Sequence, residues 1–521
     1  MRGAIAAGHP LSAEAGARVL AEGGTAVDAC IAAGFASWAA ESMLSGPGAG
    51  GFMLIHQAGD PVARLVDFFV AVPGLGGGRR AGAHMDEIMV EFTAGSAQPF
   101  SIGAASCAVP GAPAGLEQAH RRFGTLPWKE LMQPAIELAS GGFEISEIQG
   151  YMHRILDPIL RHMSEGQRVY SCDGNYCMPG DVLRRPDLAT TLELLASDGA
   201  RALYDGELGQ ALVAHVQEEG GEITTEDLAR YCPVWRRPVR ASYRHLEVVS
   251  NPPPSAGGIL IAYGLGLLDR LGEGGPPGSL GAIERIVQVM REQTRARGEH
   301  FDARLKRGGM AGRLLSEASL EDGVRRVLAG ERGLREPGRP TGTTHISVVD
   351  GAGNAASMTC SLGSGSGVIV PGTGIHLNNM LGEDDLVSGN ERPGERMTSM
   401  MAPSIALDAG SPRLVLGSAG SVRLRGAIMQ TVVNVVGHGL PVEQAVSAAR
   451  VHLDEPVVQC EGGSEVEADV LDLLEKRGYE LLRWSDRNLF FGGVSAVELK
   501  ADGELAAAGD PRRGGHGLVV E

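Results

Sequence analysis

Aromatic side chains make up only 4 % of the 521 residues, no long apolar run is present, and none of the seven cysteines forms a CxxC pair. The longest uncharged helical stretch, "ACIAAGFASWAA" from Ala29 to Ala40, is too short to cross a bilayer and reads as a buried helix, so a membrane role is excluded. Basic residues are the minority, 46 against 63 acids, and the formal charge of −17 is spread along the chain. Such a surface repels phosphate, which excludes a nucleic-acid partner. The first residues, "MRGAIAAGHPLSAEAG", hold one Arg and a brief apolar run broken by His9 and Pro10. That is not the pattern of a secretion signal, and the expected location is the cytoplasm. Scattered cysteines in odd number read as reduced thiols. Cys172 and Cys177 sit close together in a Gly/Asp/Asn loop; four ligands at recognisable spacing are missing, so the two read as ordinary loop thiols rather than a bonded pair or a metal site. No metal and no cofactor is expected.

What is abundant is glycine, 76 residues, which implies many tight turns and close backbone approaches. Hydrophobic residues at 43 % and charged ones at 21 % are ordinary for a globular chain with a sizeable core. Ser12 reads as the cap of a first helix that stops at Gly23-Gly24. Thr25 with Asp28 makes a capping-box start for a second helix that ends near Glu41. The run "SGPGAGGFMLIHQ" follows, and its Gly46, Gly48 and Gly51 spell GxGxxG. A dinucleotide fingerprint needs strand before and helix after; here the order is reversed, so a Rossmann site is excluded. From Gly115 to about Gly330 apolar residues recur at helical spacing. Arg313 to Thr341 is charged and rich in breakers, and reads as an exposed loop. Beyond Thr343 strands alternate with glycine turns, ending in a hairpin about Asp502-Gly503. Without a flexible linker, the two parts form one intertwined α/β body.

The junction "TGTTHISVVDGAGNA" carries the chemistry. If the hairpin turns about Ala352, Thr343 faces Ser361 across it, within hydrogen-bonding reach. Thr344 then points to the other face of the strand. A threonine hydroxyl needs a base beside it to act as a nucleophile, and one solution is to free the threonine's own amine, which titrates near ~8. That requires a cut between Gly342 and Thr343. The hydroxyl can make the cut itself by attacking the Gly342 carbonyl to form an ester that water hydrolyses. Glycine leaves that carbonyl unencumbered, and the branching of threonine aims its oxygen.

Ordered motifs through nearly the whole chain, among them "AAGHPLSAEAG", "GGTAVDAC", "GAGGFML", "VPGAPAGLEQAHRRFG", "PPPSAGGIL", "TTHISVVDGAGNAASMT", "GIHLNN", "MAPSIAL", "GSAGS" and "GDPRRGG", are similar to those of the γ-glutamyltranspeptidase (glutathione hydrolase) family of N-terminal nucleophile hydrolases. The resemblance implies a four-layer αββα sandwich made as a precursor that cuts itself. It leaves a large-subunit region, residues 1–342, and a small-subunit region, residues 343–521, as intertwined partners and a possible higher oligomer of that pair. It makes Thr343 the nucleophile and Ser361 the hydroxyl that holds its new amine. The oxyanion hole falls on the backbone N–H groups of Gly420 and Ser421, and the substrate-binding residues are Glu383 and Ser399.

Other positions depart from the family pattern. Phe69 stands where the family has an arginine that clamps the α-carboxylate, and a phenyl ring cannot replace a bidentate guanidinium. Met400 follows Ser399 where a second serine is usual, and Gly363 replaces an asparagine. Arg396 and Arg423 either take over the lost charge or are structural. The expected function is therefore cleavage of γ-glutamyl or related small-molecule acyl amides with transfer to water or an amine. The alternatives are an acylase of other specificity, similar to cephalosporin acylases, and a non-catalytic scaffold that binds a metabolite.

Overall fold

The computed structural model describes residues 2–77, 83–93, 96–298, 301–330, 342–383, 386–387, 389, 391–462 and 468–521. Two large antiparallel sheets form its centre. The first has seven strands in the order Val234–Arg236, Arg64–Phe68, Gly50–His56, Ala355–Gly363, Gly342–Asp350, Gly3–Ala7 and His516–Val520. The second has six, Val239–Tyr243, Leu246–Ser250, Ser404–Asp408, Ser411–Ala419, Gly493–Leu499 and Leu505–Gly509. Strands from before and after residue 342 are interleaved in the first sheet and lie side by side, two then four, in the second.

The strand Gly342–Asp350 lies across Ser411–Ala419 and Gly493–Leu499 of the second sheet. Period-two alternation sorts its side chains. Ile346 and Val348 join the core under the helix Ala26–Ala40, while Val349 joins the inter-sheet core with Phe52, Leu54, Ile405 and Val415. With few aromatics, the sheets approach closely where glycine permits: a Cβ on Gly417 would fall 2.2 Å from the His345 ring. Helices cover both outer faces. Pro10–Ala21, Ala26–Ala40 and Ala112–Phe123 pack on the first sheet, and Gly257–Leu271, Leu424–Val432 and Val442–Ser447 on the second. The result is the expected αββα sandwich, and among the described residues no helix is long and apolar enough to cross a membrane.

The helix Ala26–Ala40 is buried along all 15 residues, so burial rather than an amphipathic stripe fixes it. Its Thr25–Asp28 capping box forms as the sequence indicates, and it stops at Glu41. Two expectations about helices are corrected. The first helix is capped by His9, whose Nδ1 accepts from Leu11 N–H at 3.2 Å, not by Ser12; Pro10 at the first position needs no donor, so the helix begins earlier. The charged stretch after Arg313 is not loop throughout, because Glu317–Ala329 is a helix capped by Ser316 that buries Leu320 and Val327. The part of that loop from 331 to 341 lies outside the described residues.

Cys172 and Cys177 are joined by a disulfide. A two-residue Asp173-Gly174 turn, both at positive φ, folds Ser171–Cys172 back onto Asn175–Tyr176 and brings the sulfurs together.

Candidate active site

Thr343 heads its strand and is buried. It pairs with Ser361, the register the turn implied, and the ladder slips by one between Gly342 and Thr343. A compact network surrounds the junction. Thr343 Oγ1 donates to Ser361 Oγ at 3.1 Å. The Ser361 hydroxyl donates in turn to the Gly342 carbonyl oxygen and accepts from Gly363 N–H at 2.9 Å. One hydroxyl thus polarises the carbonyl at the junction and receives the proton of the oxygen that would attack it.

These groups open on a cavity of about 30 Å³ that also reaches Glu383, Ser399, Ser421 and the apolar Phe69, Met380 and Met400. Roughly 10–15 Å³ holds one water, so the uncut chain has room for about two waters and none for an acyl group. Glu383 is buried, and its Oε1 accepts from Ser364 N–H at 3.2 Å. Asn379 accepts from the same N–H at 2.8 Å. At Gly363, with φ +73°, a Cβ would lie 2.1 Å from Asn379 Oδ1, so Asn379 accounts for the missing asparagine at 363. Ser399 accepts from Met401 N–H at 3.1 Å, and its carbonyl takes Ala256 N–H at 2.7 Å, which straps this wall to the proline-rich turn.

Gly420 and Ser421 open a short 3-10 turn at the end of strand Ser411–Ala419. Both have positive φ, +122° and +52°, and the serine holds a conformation costly for any residue with a side chain. Ser421 lines the cavity; Gly420 stands behind it, where a Cβ would meet Gly492 Cα at 2.9 Å.

Phe69 is fully buried and stacks on Phe52 at 5.4 Å. Neither arginine named as a substitute reaches the cavity wall. Arg396 lies 4.6 Å over the Tyr231 ring, pairs with Asp67 at 3.4 Å and donates to the carbonyls of Phe69 and Cys232. Arg423 packs 4.3 Å from the Phe490 ring. Among the described residues the cavity wall carries one carboxylate and no cation.

Sequence reasoning passed over a second cluster on the other flank of Thr343. Thr344 Oγ1 donates to Glu41 Oε2 at 2.6 Å, and burial pushes the Glu41 carboxyl up to about 7 against the opposing pull of Thr344 and Arg513. Burial also draws Arg513 down to about 10. The closing "GDPRRGG" holds it in place: Asp510 pairs with Arg450 at 2.7 Å and Arg512 at 3.1 Å, and Arg512 with Glu461, all inside the protein. A charged motif with no surface to occupy was the signal available.

Two stacked antiparallel sheets between helices, with a threonine at the head of a central strand, are the frame of an N-terminal nucleophile hydrolase. The family model described as Gamma-glutamyltranspeptidase matches residues 12–520. A glutathione hydrolase proenzyme of Pseudomonas aeruginosa is 32 % identical, the match covering 100 % of this chain and 95 % of that one. An acylase ACY 1 proenzyme of Pseudomonas sp. (strain SE83) is 33 % identical over 100 % and 94 %. Among solved structures, a cephalosporin acylase from Bacillus halodurans superposes with TM-score 0.84 at 24 % identity, over 100 % of this chain and 96 % of that one, and shares the fold. The Helicobacter pylori gamma-glutamyltranspeptidase gives TM-score 0.53 at 29 % identity over 63 % and 92 %. The chain belongs to the gamma-glutamyltranspeptidase family.

Proposed function

We propose that Thr343 is the nucleophile of this enzyme, first against its own Gly342 carbonyl and then against the carbonyl of an acyl amide. As a member of its family the chain is a hydrolase and acyltransferase of the N-terminal nucleophile kind, made as a proenzyme. The observation that carries the assignment is the hydrogen-bond chain from Thr343 Oγ1 through Ser361 to the Gly342 oxygen. In the cut enzyme the freed amine takes the hydroxyl proton, and Ser361 orients both groups. The N–H groups of Gly420 and Ser421 receive the oxyanion of the tetrahedral intermediate, and the amine then protonates the leaving nitrogen. Water or a second amine removes the acyl group from Thr343.

Glu383 and Ser399 bind the acyl group. A γ-glutamyl group suits Glu383, which attracts its ammonium, and the family name favours it. A second reading, an acylase that does not require an α-carboxylate, is favoured by Phe69 in the cavity wall and by the engagement of Arg396 and Arg423 elsewhere.

Intact mass of purified protein tests the nucleophile. Wild type should give two pieces, the second beginning Thr-Thr-His-Ile, and Thr343→Ala a single silent chain. An uncut wild-type chain that hydrolyses amides overturns the reading.

A further inference from the structure

Thr343 borders a second void, of about 10 Å³, lined by Gly8, Glu41, Thr344, Asp510 and Arg513 among others. Strand geometry explains its position. Asp350 N–H donates across the hairpin to Asn354 O at 3.0 Å, whereas Gly351 N–H donates the other way, to Arg2 O at 2.8 Å. Backbone groups of successive residues in a strand point to opposite neighbours, so odd-numbered residues back to Thr343 aim theirs toward the strand Gly3–Ala7. That neighbour has ended at Ala7, and the chain turns into helix Pro10–Ala21. The Thr343 nitrogen therefore faces the place where a partner strand would have continued, and the void fills it. Two polar atoms of the residues around this void, Glu41 Oε1 and Arg513 Nε, are buried without a hydrogen-bond partner among the described residues. The space suits about one water, which both atoms can bind.

We propose that Glu41, through one water in this void, is the acid that protonates the Thr343 nitrogen when the chain cuts itself. The inference rests on Thr343 being the nucleophile. In the first step the Thr343 Oγ–H bond breaks, its proton passing by way of Ser361 to solvent, and a bond forms from Oγ to the Gly342 carbon. The bond from that carbon to nitrogen breaks as nitrogen gains a proton from Glu41, leaving an ester, an amine and a Glu41 carboxylate. In the second step water adds to the ester carbon, Gly342 departs as a carboxylate, Oγ regains its hydrogen, and the proton released restores Glu41. A carboxyl near 7 keeps an acid form at neutrality.

The other groups facing Glu41 do not titrate in the same window. His345 is held neutral by burial, down to about 3, and the Cys360 thiol is pushed up to about 11 by burial. Asp510, despite burial, is kept below the usual carboxylate range by Arg450 and Arg512, and Arg513 stays a cation.

Pulse-labelled chain from cell-free synthesis, shifted into buffers from about pH 5.5 to 8.5, gives the rate of cutting before Thr343. Wild type should slow about tenfold or more as pH rises through 7, since the acid form is lost. Glu41→Gln keeps an acceptor for Thr344 but has no proton to give; it should cut at least about tenfold more slowly at pH 6, with a flat profile. Thr344→Val removes the hydrogen bond that lowers the Glu41 pKa and should move the midpoint upward, a readout that stands if Glu41→Gln fails to fold. Wild-type cutting by Glu41→Gln, slow cutting with the wild-type profile, or an unmoved midpoint in Thr344→Val each overturns the proposal while leaving Thr343 as nucleophile. Absence of any wild-type cut before Thr343 overturns both.

Discussion

The hairpin that carries Thr343 and the wall that faces it share one cavity, and they are built from different material. On the hairpin every polar group is placed by strand register: Thr343 opposite Ser361, His345 opposite Thr359 at 2.8 Å, Ser347 opposite Ser357. On the wall Glu383, Ser399 and Ser421 come from loops and turns beyond strand ends, next to Met380, Met400 and Phe69. Register fixes geometry to a fraction of an ångström and shifts only if a whole strand slips. Loop side chains change singly. Thr343 therefore keeps the family pattern, while the departures gather at the acyl-binding groups, Phe69 and Met400, and at the last residue of the hairpin, Gly363.

The hardest way to break that contrast is on the hairpin. Ser361→Ala removes the donor to the Gly342 carbonyl and should slow self-cutting about a hundredfold, the scale of losing one oxyanion donor, followed by intact mass against time. Ser361→Thr should keep most of the rate.

The wall can be tested without mutation. A charge-assisted carboxylate clamp is worth roughly 1.5–3 kcal/mol, or more than tenfold in kcat/KM. With no cation among the described residues of the wall, γ-glutamyl and 4-aminobutyryl anilides, which differ only in the α-carboxylate, should differ by less than about tenfold. A larger preference for γ-glutamyl would mean that a clamp exists.

His345, between the sheets, and His376, on the short strand Ile375–His376, are buried and held neutral, both near 3. Below the ordinary histidine value near 6.5 the unfolded chain takes up protons that the folded chain refuses. Stability is thus full above about pH 6.5 and is lost as pH falls toward 3. In the uncut Thr343→Ala chain, His345→Gln should flatten the fall of Tm between about pH 6 and 4, a gain of order 1 kcal/mol or more at the acid end. The smallest effect lies far from both regions: denatured without reductant, five of the seven cysteines should react with a thiol reagent, and all seven after reduction.

Local signals were legible and distant ones were not. The Asp-Gly-Ala-Gly-Asn turn set the register of Thr343 against Ser361, and Thr25 with Asp28 set the start of a helix, because each is decided within a few residues. The same kind of signal, Asp173-Gly174, was present between two cysteines and outweighed by the missing zinc spacing. Helix Glu317–Ala329 was hidden by its charges, though Leu320 and Val327 keep its spacing. Phe69 was legible as a departure, but its reason, the ring of Phe52 beneath it, belongs to a neighbouring strand. Nothing in one dimension joins Glu41 to Thr344 and Arg513; the end of one strand beside another does so.

The interleaving of strands around residue 342 has a consequence for the life history of the molecule. A break at that bond severs the backbone and separates nothing, because in the first sheet strands of each fragment lie between strands of the other, and in the second the two fragments are joined edge to edge. The broken form inherits a topology that a single continuous thread had to find, and once melted it has lost the tether that made the search short. Maturation is then a ratchet: the intact chain can fold again after heating, whereas the clipped one keeps its shape only as long as it never lets go.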